Sequence, residues 1–132
     1  LMDESYNANP LSMAAAIANL GRTVPGAGGR RIAVLGDMLE LGPTGPELHA
    51  GLAKVLVEHG IHVTFASGPL MHHLWTAIAE ERRGRYAGAS LEIAEAVAGE
   101  VRAGDVVMIK GSNGSRMSVV VEALRRLAVE KQ

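Results

Sequence analysis

The chain has 132 residues, a formal net charge of −1 and no cysteine. Its length fits one domain, and 48% hydrophobic with 20% charged residues is ordinary for a globular protein with a buried core. The charge gives no electrostatic reason to expect nucleic acid as a partner, the lack of cysteine excludes disulfides and thiolate metal sites, and no apolar run approaches the ~20 residues that insert across a bilayer.

The first half of the chain predicts strands and helices in alternation. Residues 1–4 are the expected tail of a first strand, and Asn9 is the expected N-cap of a helix with Pro10 in its first turn. Apolar positions 11, 14, 15 and 18, and again 13, 17 and 20, predict a wide buried face for this helix. Residues 32–35 form an unbroken apolar run, typical of a strand buried on both faces. A second helix then runs towards Gly60.

The second half continues the alternation. Residues 61–66 predict a third strand, and a third helix follows with apolar positions 70, 74, 77 and 78. A short fourth strand at 85–87 leads to a fourth helix, which we expect to be capped by Ser90 and to have positions 91, 94, 98 and 101 as its inner face. Residues 105–110 form the last strand, and positions 117, 120, 121 and 124 mark the last helix.

Five βα units in succession predict a Rossmann-like, three-layer α/β/α domain with a mostly parallel sheet. The carboxyl ends of parallel strands share one edge of the sheet, and ligands of open α/β sheets bind there. Residues 5–9, 36–45, 67–69 and 111–115 should therefore converge, and we expect the functional site at this edge.

The residues at this edge allow more than one role. Carboxylates at strand ends could contact ribose, magnesium or an amine, but they are more often N-caps or loop anchors. The loop at 111–115 leads from a strand into a helix, so its N–H groups could hold a phosphate or carboxylate, or its glycines could simply turn the chain. It matches neither the P-loop nor the dinucleotide-binding spacing. The five histidines show no metal-ligand pattern, and no serine has the setting of a catalytic triad.

Three motifs together resemble the C-terminal domain of the Mur ligases. They are DESYNANP at residues 3–10, GDMLELG at 36–42 with His49 behind it, and VMIKGSNGSRM at 107–117. Within that family they are most similar to the members that add D-alanyl-D-alanine to UDP-N-acetylmuramoyl-tripeptide. The resemblance implies that residues 1–132 are the C-terminal, lid-like domain without its first strands, and that the N-terminal and central ATPase domains lie outside this chain.

This resemblance implies ATP-driven peptide-bond synthesis in the cytoplasmic stage of peptidoglycan assembly. In the family, ATP phosphorylates the tripeptide carboxylate, and the amine of D-Ala-D-Ala attacks the acyl phosphate. The chain contains no G-K-[ST] loop, so we expect ATP and Mg²⁺ as cofactors of the full-length enzyme, no catalytic or metal-binding residue here, and no activity from the fragment alone. The implied partners are the three substrates and the central domain of the same ligase, and we expect a monomer.

The resemblance also implies two sets of site residues. The set expected to contact ATP is Asp3, Glu4, Tyr6, Asn7 and Asn9, with Asp3 or Glu4 towards the ribose. The set expected to contact D-Ala-D-Ala is Asp37, Glu40, Lys110, Gly111, Ser112, Asn113 and Arg116. Asp37 and Glu40 could instead contact the closed central domain, and Arg116 could be a surface residue in the first turn of the last helix.

Two alternatives stay open. The fold alone also suits a non-catalytic Rossmann-like ligand-binding or receiver-like module, although a receiver would need an acidic cluster and Asp37 has no clear acidic partner. A sister ligase, folylpolyglutamate synthase, is less similar in the wording of the first two motifs.

Overall fold

A computed structural model describes the chain at residues 1–4 and 8–130, without the side chains of residues 2–4, 113 and 128–130. In that part of the chain, strands and helices alternate from end to end. The strands are β1 (Met2–Glu4), β2 (Arg31–Gly36), β3 (Val63–Ser67), β4 (Arg83–Ala87) and β5 (Val106–Lys110). The helices are α1 (Pro10–Arg22), α2 (Gly45–Glu58), α3 (Met71–Trp75), α4 (Ser90–Glu100) and α5 (Ser118–Glu130).

The strands form one sheet in the order β1-β5-β2-β3-β4, and every neighbouring pair is parallel. β2 lies at the centre, where Ile32 pairs with Val63 on one side and with Val107 on the other. The predicted Rossmann-like α/β fold with a parallel sheet is confirmed.

The helices cover both faces of the sheet, which gives the three predicted layers. Alternate residues of β2 face opposite ways, and both sets are fully buried. Ala33 and Leu35 join a core built with α1, α2 and α3, while Ile32 and Val34 join a second core built with α4 and α5. The run at 32–35 is therefore buried on both faces, as its composition predicts.

The start of α1 follows its sequence signals closely. Asn9 is the N-cap: its Oδ1 accepts from the N–H of Ser12 at 2.9 Å, and the Ser12 side chain accepts from the N–H of Asn9 at 3.1 Å. Pro10 occupies the first helical position. Of the two predicted stripes, the one that includes Met13 is fully buried, whereas Leu11 of the other is 82% exposed. The expectation that position 11 belongs to the buried face is wrong.

The third helix is shorter than its apolar spacing predicts. α3 ends at Trp75, whereas the spacing predicts a helix that continues to Ile78. Arg83 Nε donates to the Trp75 carbonyl and Thr76 Oγ1 to the His73 carbonyl, both at 3.2 Å. These bonds satisfy carbonyls near the helix end, so the chain can leave the helix there without unpaired acceptors. Ile78 is still buried. None of the helices in the described ranges is long and apolar enough to cross a membrane.

The fourth helix is rotated relative to the prediction. Leu91, expected on the inner face, is 62% exposed, while Ile93 and Val97 are fully buried. Ser90 is the first helical residue, and the N-cap position belongs to Ala89. Ile93 and Val97 bury more apolar area than an inner face built on Leu91 and alanines would, so packing against the sheet and α5 sets the rotation.

An ion pair ties β2 to β5 at the amino end of the sheet. The Asp105 carboxylate accepts from Arg30 Nη2 at 2.8 Å, from the Arg30 N–H at 2.9 Å and from the Arg102 N–H at 2.9 Å. Burial alone would raise the pKa of Asp105, but the hydrogen bonds from Arg30 and Arg102 outweigh burial and lower this pKa to about 2. The pair lies at the end of the strands away from the predicted site.

Candidate functional site

Ser112, which follows β5, joins three loops at the carboxyl edge of the sheet. Its N–H donates to the Asp37 carbonyl at 3.0 Å, its Oγ accepts from the Leu39 N–H at 2.9 Å, and the same Oγ donates to the Ala8 carbonyl at 3.3 Å. The predicted convergence of the loops after β1, β2 and β5 is confirmed at these contacts. The loop after β5 therefore has a fixed position relative to its neighbours.

Two N–H groups of the loop at 111–115 are used inside the protein. The Ser112 N–H donates to Asp37, and the Ser115 N–H donates to the Ser112 carbonyl at 2.8 Å. The expectation that the N–H groups of this loop are open to an anion is wrong for these two, because the loop closes into a 3₁₀ turn at Asn113–Ser115. A ligand at this loop would have to use its other groups.

His49, in α2, fixes the loop at residues 36–42 through hydrogen bonds from its buried ring. Its side chain is fully buried; Nε2 accepts from the Met38 N–H at 2.9 Å, and Nδ1 lies 2.6 Å from the Gly45 carbonyl. A backbone N–H can only donate and a carbonyl can only accept, so the ring proton is on Nδ1 and the ring is neutral. His49 is therefore a structural residue of this edge.

Asp37 follows β2 and holds the start of α3. Its side chain is buried, with one oxygen accepting from the Met71 N–H at 2.8 Å and the other from the Leu70 N–H at 3.1 Å. Gly68, with φ of +109°, lies so close that a Cβ there would meet the Asp37 carboxylate. Asp37 thus anchors the backbone at the start of α3 from the end of the neighbouring strand, a structural role of the commoner kind expected for such carboxylates, and contact with a substrate stays a prediction.

The crevice between β2 and β5 is filled. A Cβ on Gly111 would lie 3.1 Å from Gly36 Cα and 2.7 Å from Met117 Cγ, and Met117 is fully buried. Both positions need glycine because the two backbones approach each other and the methionine side chain occupies the remaining space. Gly111 is therefore a packing residue, and ligand space at this edge lies to one side of the crevice.

Glu40 and Arg116 are the exposed charged residues of the predicted dipeptide set, and both have left-handed backbones, with φ of +64° and +61°. Such conformations cost of order 1 kcal/mol or more for a non-glycine residue and cluster at ligand-binding sites. Arg116 precedes α5, which begins at Ser118, so the alternative that places it in the first helical turn does not hold. The two side chains are available to a ligand or to another domain.

A cleft of about 350 Å³ opens at the same edge, beside the filled crevice. Its walls come from the ends of β2, β3 and β4 and from the loop before α5, including Asp37, Ser67, Gly68, Ser90 and Arg116. The sequence predicts residues 67–69 at this edge, whereas residues 88–90 were not predicted there. The available signal was the predicted fourth strand, whose carboxyl end must reach the same edge as the others.

The wall of the cleft formed by Gly68 is fixed from two sides. The Gly68 N–H donates to the Ala87 carbonyl at 3.0 Å, and Tyr86 Oη donates to the Gly68 carbonyl at 2.8 Å. Burial, and secondly the negative charge of Asp37, raise the pKa of Tyr86 above its ordinary value. The phenol therefore keeps the proton that this hydrogen bond needs.

The remaining predicted residues are placed as follows. In the ATP set, Asp3 and Glu4 lie in β1 and pair with Ile109 and Lys110 of β5, with no description of their side chains. Tyr6 and Asn7 lie outside the described residues. Asn9 is exposed, and its Oδ1 is used by the cap. In the dipeptide set, Lys110 is 4% exposed, and the Asn113 side chain lies outside the description. Among the described residues, no group of three His, Asp or Glu could hold a metal ion.

Comparison with known proteins connects this site to one family. A family model described as "Mur ligase, glutamate ligase domain" matches residues 2–113. The UDP-N-acetylmuramoyl-tripeptide–D-alanyl-D-alanine ligase of Bacillus subtilis is 30% identical over 133 residues, covering 94% of this chain and 27% of that protein. The Treponema pallidum protein of the same name is 33% identical over 127 residues, covering 94% and 26%.

Solved structures agree with the sequence relatives. The structure of MurF ligase from Thermotoga maritima in complex with ADP has a TM-score of 0.77 and 27% identity, covering 97% of this chain and 28% of that one. The chain thus spans about a quarter of the length of the curated relatives it matches. The family model accounts for most of its residues, including the strands whose loops build the site, and the chain belongs to the Mur ligase family, as its glutamate ligase domain.

Proposed function

We propose that residues 1–132 are the C-terminal domain of an ATP-dependent ligase that joins D-alanyl-D-alanine to UDP-N-acetylmuramoyl-tripeptide. The observation that carries this proposal is the match of relatives with that name to 94% of the chain at 30% and 33% identity. The N-terminal domain and the central ATPase domain would be supplied by a longer protein. We infer a cytoplasmic enzyme of peptidoglycan assembly, because ATP and a UDP-linked precursor are its proposed substrates, and we also propose that it is a monomer.

The geometry of the carboxyl edge supports a positioning role for this domain. Amide formation needs an amine held close to an activated carboxyl group, with water excluded. Ser112, His49 and Asp37 fix the loops around the cleft, so exposed groups such as Arg116 are carried on a rigid base. The domain would orient the amino component and close over the central domain, while activation of the carboxylate takes place elsewhere.

We propose that ATP binds at the other end of this edge, beside β1. The Thermotoga relative was solved with ADP, which supports ATP as the cofactor of the full-length protein. The proposed contacts from this chain are Asp3, Glu4, Tyr6, Asn7 and Asn9. The helix cap uses Asn9 Oδ1, and within the described residues no partner is seen for the side-chain nitrogen, which could contact the nucleotide. Magnesium would be bound by the central domain, because the described residues provide no acidic or histidine cluster for it.

Different observations bear on the two alternatives, a receiver-like module and a folylpolyglutamate synthase. Membership of the Mur ligase family argues against a receiver-like module, and the Asp37 carboxylate is buried and bound to two backbone N–H groups, so it is poorly placed to accept a phosphoryl group. A folylpolyglutamate synthase would use glutamate as the amino component, which a direct comparison of substrates can test.

The experiment is a phosphate-release assay on the full-length protein that contains this chain. We expect release only when ATP, UDP-N-acetylmuramoyl-tripeptide and D-Ala-D-Ala are all present, and none when L-glutamate replaces the dipeptide. Release with a folate and L-glutamate, and not with the peptidoglycan substrates, would replace this proposal by the sister activity. The isolated 132-residue chain serves as the control and should release no phosphate.

A further inference from the structure

Two buried serines line the cleft, and neither hydroxyl has a hydrogen-bond partner within the described part of the chain. Ser67, at the end of β3, is 3% exposed, and Ser90, at the start of α4, is 8% exposed. Among the described residues, none donates to or accepts from either hydroxyl. Every fully enclosed polar side-chain atom in that part of the chain has a partner, so these two hydroxyls are open to the cleft. Buried polar groups are normally satisfied, and here the cleft is where the partner must come from.

The start of α4 adds donors to the same space. No side chain caps this eleven-residue helix, because its N-cap position is held by Ala89, in an extended conformation with φ of −135° and ψ of 149°. The N–H groups of the first turn have no intrahelical acceptor, and the helix dipole makes this end positive. Together with Ser67 and Ser90, they form a floor of hydrogen-bond donors. Such a floor favours an anion.

The charges around the cleft indicate which anion. Arg116 is exposed at the rim, whereas Asp37 lines the cleft with a carboxylate that already accepts two N–H groups. Glu92, in the first turn of α4, lines a separate depression beside Arg85. One fixed negative charge beside one cation disfavours a phosphate dianion and suits a monoanionic carboxylate that carries an ammonium group at its other end. Amino acids and short peptides have this charge pattern.

We infer that Ser67, Ser90 and the first turn of α4 form the subsite for the carboxylate of the amino component. This inference rests on the proposed function and assigns the anchor to residues outside the three sequence motifs. An extended dipeptide spans about 7 Å, so a carboxylate at the floor leaves the amine towards the open side of the cleft. There it can meet an activated carboxyl group that the rest of the ligase presents.

The first test is steady-state kinetics on the full-length protein with Ser67→Ala and Ser90→Ala. Each variant should raise the KM for D-Ala-D-Ala roughly tenfold, the usual loss for one hydrogen bond to a charged group, with kcat and the KM for ATP within about twofold. The melting temperature should not change, because neither hydroxyl bonds to the described protein. Ser118→Ala is the matched control, since it makes the same change at the first residue of α5, outside the cleft.

A substrate analogue identifies the group that is bound. The C-terminal amide of D-Ala-D-Ala lacks the carboxylate, so the wild type should use it far less well than the dipeptide. Both serine variants should discriminate less between the acid and the amide than the wild type does. An unchanged dipeptide KM in both variants of an active enzyme would overturn the subsite and leave the proposed function intact.

A second experiment tests the carboxylate subsite separately from the proposed function if the wild-type protein does not use D-Ala-D-Ala. That result overturns the proposed function, and the subsite is then tested on the ¹⁵N-labelled 132-residue chain with sodium acetate. Saturable shifts of the Ser90 and Leu91 amide resonances, weakened by Ser67→Ala, would support a carboxylate subsite. Shifts that are absent, or no larger than those in the rest of the chain, would overturn it.

Discussion

Replacing His49 should destabilise the domain more than replacing a surface histidine would. His49→Phe fills the same buried space but removes the acceptor for the Met38 N–H and the donor to Gly45. The buried Met38 N–H then has no partner, which costs about 1 to 3 kcal/mol, and loss of the second bond adds about 1 kcal/mol. The expected loss is therefore about 2 to 4 kcal/mol, or a melting temperature roughly 5 to 15 °C lower for a domain of this size.

Thermal and urea unfolding followed by circular dichroism measure this effect on the 132-residue chain. His49→Gln should fall between the wild type and His49→Phe, because an amide oxygen near the position of Nε2 can still accept from Met38. His73→Phe is the control, since His73 is exposed. If His49→Phe unfolds at the same temperature as His73→Phe, the two hydrogen bonds do not hold the loop at 36–42 and the reasoning fails.

Three further predictions concern other parts of the domain. Asp105 has a folded pKa of about 2, below the ~3.9 of an unfolded chain, so it should stabilise the fold by of order 2 kcal/mol above pH ~4 and lose that contribution as the pH falls towards 2. Asp105→Asn should remove this part of the pH dependence of urea unfolding, and an unchanged profile would contradict it. Asn9→Ser should keep the melting temperature, because serine caps about as well, but should raise the KM for ATP in the full-length protein; an unchanged KM would leave Asn9 with its capping role alone. Arg116→Ala should lower kcat/KM for D-Ala-D-Ala by roughly tenfold to a hundredfold without affecting the KM for ATP, and equal kinetics would make Arg116 a surface residue.

The order of strands and helices could be predicted because the signals are local. The apolar run of β2 sits between glycines, and the Asn9-Pro10 pair marks a helix start through contacts within four residues. The rotation of α4 could not be predicted in the same way, because it depends on how Ile93 and Val97 pack against distant elements. Leu91 satisfies the same helical spacing and lies on the outside.

The site was predictable as an edge of the sheet but not as a set of contacts. Parallel strands bring their carboxyl ends together whatever the side chains are, so the convergence of loops follows from topology. Whether the Asp37 carboxylate is free for a ligand or anchors the start of a helix depends on residues 70 and 71, more than thirty positions away in sequence. Ser67 and Ser90 carry no motif, and only their shared cleft in the folded chain connects them.

The most direct test of the central claim is the mass of the product made by the full-length protein. After incubation with ATP, UDP-N-acetylmuramoyl-tripeptide and D-Ala-D-Ala, mass spectrometry should show the UDP-linked species heavier by one dipeptide minus one water, with one ADP formed for each product. An unchanged UDP-tripeptide in the presence of all three substrates, with or without ATP hydrolysis, would contradict the assignment of this domain to a D-alanyl-D-alanine-adding ligase.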